Sequence, residues 1–434
     1  MNRNKLFKKI FVFAIILSLL YSAPKYSRSG QDLDDLAYVM AIGVDVGTNA
    51  KYKISLQLST LESSATEAAT KSSDSSSGSS SGSSSPGSDT SSNYIINTVE
   101  TDSLDSAINI SNAFVNKDIN LSHCKILVLS EDIAKNGVGD IVNALINKVE
   151  VRPDCNIIIS KVPVGEFTSE SKPEIGDILS KYYDVTANTY TGSGYSETVK
   201  LSNFYSNLND SFYQAFATLG IMSNPSSNTI KDNDKNQLQS NLDIQARSLT
   251  ITPKESAVET IGLAVFNEDV LVGTLSANET ACHQLVTNNF NYFTLNMPSP
   301  FSSDETLDLY ISAFSQPKIK VSIVNNSPFV ECNLYLDARM LSFNSNTINT
   351  LTEDKLNTIK TATVQYIEKQ VYNYFDKTSK EFNSDIGGIG RFAAKNFKTI
   401  EEWESYNWLE NYKNCTFKVN ATVAIKSGHL LTNE

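Results

Sequence analysis

Histidine is scarce in this sequence: His123, His283 and His429 are the three in 434 residues. None is followed at i+4 by a ligand-type residue, and there is no CxxC pair, so the pattern of a zinc centre is missing. The five cysteines, Cys124, Cys155, Cys282, Cys332 and Cys415, are odd in number and scattered. A disulfide framework needs an even count at high density in a short chain. These cysteines read as buried free thiols acting as small apolar side chains, with one long-range pair left open. Two Cys–His neighbours, His123–Cys124 and Cys282–His283, are formally nucleophile and base. Sequence neighbours point apart on a strand and do not face each other on a helix, so neither makes a catalytic pair.

Positive charge is also in short supply. Lys and Arg number 36 against 48 Asp and Glu, a net charge of -12, and no basic run follows Lys9. Nucleic-acid binding is driven by Lys/Arg neutralisation of phosphates, and docking on anionic lipid by basic patches. The balance argues against both. Phosphate-cradling loops are missing too. Gly387-Gly388-Ile389-Gly390 fits neither GxGxxG nor GxxxxGK[ST] and reads as a tight turn. Gly78-Ser79-Ser80-Ser81-Gly82 fits GxSxG, but a nucleophile elbow needs a strand before it and a helix after it, and here both flanks are serine. Adjacent carboxylates, Asp34-Asp35 and Glu401-Glu402, read as solvated charge. Nothing nominates a catalytic, metal-binding or cofactor-binding residue, and the chain reads as no enzyme with no cofactor. Ligand-binding residues are left unassigned.

What is present begins at the N-terminus. Arg3, Lys5, Lys8 and Lys9 precede the apolar run Ile10 to Tyr21, a charged segment and an apolar core of signal-peptide length. The run is shorter than the ~20 residues of a spanning helix. The body of the chain is therefore expected outside the cytoplasmic membrane, with residues 1–30 either cleaved or retained as a short anchor.

Tyr38 to Val46 reads as a buried strand, followed by a Gly47-Thr48-Asn49-Ala50 turn and the alternating strand Tyr52 to Leu58, together a hairpin. Residues 63–92 are a Ser/Gly tract whose composition cannot bury enough apolar surface to order itself. Leu104, Ala107, Ile108 and Phe114 recur at helical spacing. Lys125 to Leu129 is a strand, and Ser130 caps a helix that Gly137 stops. A second helix, Asp140 to Lys148, leads to the strand Asn156 to Ser160, a crossover pattern. The polar stretch that follows carries a weak helical pattern at Leu208 to Ala217 and a strand near Leu242 to Ile251. From Ile261 to Leu275 there are two strands about an Asn267-Glu268-Asp269 turn. Ser276 and Glu279 have capping-box spacing. Lys318 to Val324 and Phe329 to Asp337 form a hairpin. Thr352 caps a long helix with Leu356, Ile359, Ile367, Val371 and Tyr374 on one stripe, and Cys415 to Ile425 is a last alternating strand. Trp403, Tyr406, Trp408 and Tyr412 lie close together, either lining a binding surface or filling the core.

The expected fold is α+β: three domains of mixed α/β character with mostly antiparallel or mixed sheets, behind the N-terminal segment. The expected boundaries are residues 31–170, a middle domain at 171–258, and a C-terminal domain at 259–434.

Several blocks line up with one family. Asp32 to Asp45 resembles the opening of the Ger(x)C family, the C subunits of spore germinant receptors. His123 to Leu129 with Glu131, Ala134 and Gly137, then Glu150 and Arg152, resemble its next block. Ala264-Val265-Phe266, Val272 to Leu275, Glu279-Thr280, Asp385 to Gly390 and Trp403 resemble its C-terminal blocks. The chain departs from the family in two places. The lipobox Cys usual before the opening motif is replaced by Tyr26-Ser27-Arg28-Ser29-Gly30, which counts against a lipid anchor and points to Ile10–Tyr21 instead. The serine tract is the second departure. The resemblance implies a non-enzymatic receptor subunit on the outer face of the spore inner membrane. It would act with integral-membrane A and B subunits in the response to a nutrient. The alternative from the sequence is an extracytoplasmic solute-binding protein outside germination.

Overall fold

A computed structural model of the chain describes residues 11–16, 18, 35–59, 94–171, 181–184, 194–223, 257–302, 305–343 and 352–426. The serine tract, the strand expected near Leu242 to Ile251 and most of residues 1–30 lie outside these. Among the described residues no helix is long and apolar enough to cross a membrane.

Thirteen strands form two mixed sheets among the described residues. The larger contains β1 (Leu36–Val46), β2 (Tyr52–Ser59), β3 (Tyr94–Thr101), β4 (Asp118–Asn120), β5 (Ile126–Ser130), β6 (Asn156–Ser160), β7 (Phe216–Ser223), β8 (Ala257–Asn267) and β9 (Val270–Leu275). Its order is β3-β2-β1-β5-β6-β7-β8-β9, with β4 also beside β1. The centre, β1-β5-β6-β7, is parallel, and both flanks are antiparallel. Parallel neighbours need crossovers. These are supplied by α1 (Leu104–Phe114), α2 (Glu131–Asn136), α3 (Gly139–Ile146), α4 (Val164–Glu170) and α5 (Leu201–Leu208). Strands from all three stretches expected as separate domains thus pair in one sheet.

The hairpin, the crossover and the α2 cap form as their patterns indicate; Ser130 Oγ accepts from Ile133 N. The weak helical pattern at Leu208 to Ala217 is corrected. The helix is α5, which ends at Leu208 and buries Leu201 and Phe204, and Phe216 onward is strand β7. Phe216, Ala217 and Leu219 join the main core there, in a strand buried on both faces between β6 and β8.

Strand β1 serves two cores. Ala37 and Val39 face the main one, and so do Ile42 and Val44. A bulge between Val39 and Ala41 shifts the phase, so Met40 and Ala41 face a second cluster with Ile126, Val128, Ile158, Val164 and Phe167. Gly43 and Asp45 then fix α4 on that side. A Cβ on Gly43 would collide with Cγ1 of Val164. Asp45 Oδ2 accepts from Val164 N at 2.8 Å, capping a helix whose own N-cap, Pro163, gives no side-chain bond.

The smaller sheet runs β10 (Tyr292–Pro298), β11 (Thr306–Val324), β12 (Ser327–Phe343) and β13 (Thr416–Lys426). Asn325 and Asn326, at φ 49° and 64°, both occupy the left-handed region and make the two-residue β11–β12 turn of type I′. α6 (Ala277–Thr287) and α7 (Glu353–Asp376) cover this sheet, and α7 is the crossover into β13, parallel to β12. Ile359, Thr363, Ile367, Val371 and Tyr374 form its buried stripe. The edges are occupied: Glu368 Oε1 accepts from Ala421 N of β13 at 2.8 Å, and Tyr195 Oη donates to Thr294 O of β10 at 3.1 Å.

Gly43→Val should destabilise the chain by about 1–3 kcal/mol, because the β-branched side chain overpacks the seat of α4. Urea unfolding reads this, and an unchanged midpoint would show that α4 is not seated on Gly43.

Candidate functional site

The residues that carry the family resemblance do not converge on one open cleft. They build joints between elements, and the most heavily built joint lies where residues 211–214 meet the C-terminal part of the chain. The segment before β7 is wedged between the β8–β9 turn and the 384–390 loop. Gln214 binds both sides: its N–H donates to Asp385 O at 3.0 Å, and its Oε1 accepts from Glu268 N at 2.9 Å. Trp403 stacks on Phe212 and donates from Nε1 to Ser211 Oγ at 3.1 Å.

Asp385 organises the other side. Its carboxylate is fully buried and accepts from Ile389 N at 3.0 Å, Gly390 N at 2.7 Å and Trp408 Nε1 at 2.9 Å. Burial pushes its pKa up to about 6, against the pull of these donors. The glycines follow from the closeness of the walls. Gly388 has φ 66°, and a Cβ on Gly390 would sit 2.5 Å from Phe212 O and 2.8 Å from Trp408 Cδ1. Ser384 Oγ donates to Phe266 O at 2.6 Å, tying the loop to β8. The tight turn expected at Gly387–Gly390 is this joint.

Two further joints flank it. Glu279 closes the capping box of α6, accepting from Ser276 N at 2.7 Å, and both its oxygens lie 2.8 Å from Lys377 Nζ at the end of α7. That ammonium also donates to Thr274 O on edge strand β9 at 3.2 Å. Asp269, in the β8–β9 turn, accepts from Gly139 N at 3.1 Å, while its carbonyl accepts from Val138 N at 3.0 Å. Gly137, Val138 and Gly139 between α2 and α3 are thereby fixed against β9.

Behind Asp385 lies a buried polar group that the sequence did not single out. His283 Nδ1 is 2.9 Å from Tyr374 Oη. Its Nε2 is 3.5 Å from Glu197 Oε2, and neither of those two atoms has a hydrogen-bond partner. Asn289 Nδ2 donates to the other Glu197 oxygen at 2.6 Å. Burial raises the Glu197 pKa to about 7 and lowers that of His283 to about 3. Both shifts favour the neutral form of each group.

The His283 ring is thus turned towards Tyr374 and Glu197. His123 lies against the Tyr38 ring, centroids 4.4 Å apart. Trp403, Tyr406, Trp408 and Tyr412 are buried, so the core reading of these aromatics is the one the structure supports. No group of three or more His, Cys, Asp or Glu among the described residues is placed to hold a metal ion. Glu197 and Tyr374 carry no local signature, because the positions that bring them to His283 are 86 and 91 residues away from it.

Fold and joints together define a mixed α/β protein whose two halves share a sheet and a buried polar seam. Two family models match it in order: "Spore germination protein N-terminal domain" over residues 29–220 and "Spore germination B3/GerAC like, C-terminal" over residues 261–428. The chain belongs to the Ger(x)C family of spore germination proteins. It is 24% identical over 177 residues to the spore germination protein GerQC of Bacillus cereus, a match taking in 40% of this chain and 47% of that protein. The chain thus spans about half the length of that curated relative. A solved structure, that of the GerBC protein, aligns with a TM-score of 0.46 at 15% identity, covering 88% of this chain and 96% of that one. The first family model ends inside β7 and the second begins inside β8, two strands that pair antiparallel.

Because its folded pKa is raised, Glu197 stabilises the fold most below its usual 4.5 and loses that contribution as pH rises to about 7. Relative to wild type, Glu197→Gln should therefore gain stability steadily over this interval, by up to about 3 kcal/mol, and the gap should be flat above it. Urea unfolding of both chains across the pH series checks this. A gap independent of pH would mean that Glu197 is ionised throughout.

Proposed function

We propose that this chain is the non-enzymatic C subunit of a nutrient germinant receptor. It lies on the outer face of the spore inner membrane, held by its N-terminal segment beside integral-membrane A and B subunits. The observation that carries this reading is the ordered pair of family models along the chain. The geometry supports it in one respect. The residues shared with the family are spent on internal joints, such as Asp385 with Gly390 and Trp408, and not on a substrate site. A scaffold of that kind recognises partners through its outer faces. Its net charge of -12 keeps those faces from binding anionic lipid without a partner or an anchor.

The test is a pull-down of the tagged chain from detergent-extracted spore membranes, with partners identified by mass spectrometry. Two multi-spanning membrane proteins are the expected co-purifying species, and deletion of the chain should abolish nutrient-triggered germination. Recovery of the chain alone, or with an ABC-type permease, would overturn the receptor reading and favour the solute-binding alternative.

A further inference from the structure

Two sulfur atoms touch in the N-terminal half of the chain. Cys155 immediately precedes β6, and Cys124 lies two residues ahead of β5. These strands pair in parallel with Ile126 opposite Asn156, and Asn156 N donates to Lys125 O at 2.8 Å. The two cysteines therefore lead into neighbouring strands one register step apart. Both turn into the main core with Leu121, Leu127 and Ile157. Their Sγ atoms are 3.7 Å apart, and both are free thiols. The other three cysteines sit elsewhere: Cys282 on α6, Cys332 on β12 and Cys415 just ahead of β13.

We propose that Cys124 and Cys155 are joined by a structural disulfide when the chain folds in an oxidising compartment. The proposal rests on the extracytoplasmic location given above for that environment. Neighbouring strands stand about 4.8 Å apart with a rise of about 3.3 Å per residue, so positions one register step apart lie about 6 Å from each other, within the Cα separation of about 4.4–6.8 Å that a disulfide accepts. Closing the sulfurs to a bond of about 2.05 Å needs each to move by less than about 1 Å, within reach of side-chain rotation. The bond would span a separation of 31 residues, and the loop it closes holds α2 and α3. It would therefore staple together the segment that carries Glu131, Ala134 and Gly137 and docks on Asp269.

The chemistry is thiol–disulfide exchange. One cysteine, as thiolate, attacks the disulfide of a low-molecular-weight or protein-borne oxidant, and one half of that oxidant leaves as a thiol. The second cysteine then attacks the mixed disulfide and expels the other half. The two thiols lose two protons and two electrons, and the oxidant's S–S bond takes them up as two thiols. In the folded chain both sulfurs are covered, at 2% and 1% exposure. Contact with Cys124, together with burial, holds the Cys155 thiol well above its usual range. Exchange therefore belongs to the stage before β5 and β6 are covered, and once formed the bond is shielded from reductant.

The test uses the full chain, purified in detergent, unfolded under reducing conditions and refolded in a mixture of oxidised and reduced glutathione. Its thiols are then counted under denaturing conditions and its digest mapped by mass spectrometry. The five thiols should fall to three, Cys282, Cys332 and Cys415, with the peptides of Cys124 and Cys155 cross-linked. Cys124→Ser refolded in the same way should keep four. The urea midpoint of wild type should rise on oxidation, and that of Cys124→Ser should not. Five titratable thiols after refolding, or a bond joining another pair, would overturn the proposal. The refolding assay does not depend on where the chain resides. Its failure overturns the disulfide and leaves the receptor reading standing, and the membrane pull-down tests that reading alone.

Discussion

A carboxylate removed from water must be met by donors, because an unpaired buried charge costs several kcal/mol. Asp385 meets this requirement with two backbone N–H groups and an indole N–H, all supplied by elements that pack around it. The constraint reaches outward. The donors from Ile389 and Gly390 require the loop to turn back sharply, and this is why Gly388 adopts a left-handed φ. The indole of Trp408 must lie against Gly390, which fixes the aromatic layer of Trp403, Trp408 and Tyr412. The Asp385 carbonyl then takes the Gln214 N–H, and the segment leading into β7 is held in place. One buried charge thus positions a loop, an aromatic layer and the entry to a central strand.

Much of the local structure was legible in the sequence because its causes are local. The Ser130 cap, the Ser276–Glu279 box, the α7 stripe and the alternation of β13 each rest on side chains a few residues apart, whereas β2 buries Ser55 and Gln57 as well as its apolar face. The helix expected at Leu208 to Ala217 failed for the opposite reason. Phe216 to Ser223 becomes a strand because β6 and β8 stand on either side of it, and neither neighbour is within reach of a local pattern. The continuity of the large sheet was hidden in the same way, since pairing partners such as Ala41 and Ile126 are far apart in the chain. Gly43, Asp45, Gly273 and Asp385 lie inside the blocks that resemble the family, but the resemblance does not reveal them as packing and capping devices. Only the contacts with Val164, Phe382 and Trp408 give them that meaning.

The seam between the halves is polar where it is deepest. Glu197 comes from the half matched by the first family model, while His283 and Tyr374 come from the second. A buried polar cluster is more demanding of geometry than apolar packing, because misalignment leaves more groups unpaired in a low-dielectric surround. Such a seam favours one relative placement of the two halves over sliding alternatives. Under the proposed function, this suits a subunit that must present fixed outer faces to membrane-embedded partners.

The sheet also imposes an order on assembly. Strand β7 has β6 on one side and β8 on the other, and the sequence boundary between the two family halves falls between β7 and β8. As the chain emerges from a ribosome or a translocation pore, residues up to Ser223 present an open strand edge until Ala257–Leu275 has followed. A fragment cut at the family boundary would carry that open edge permanently and tend to pair with copies of itself. The two halves are separable as sequence profiles, but in the fold they share one sheet.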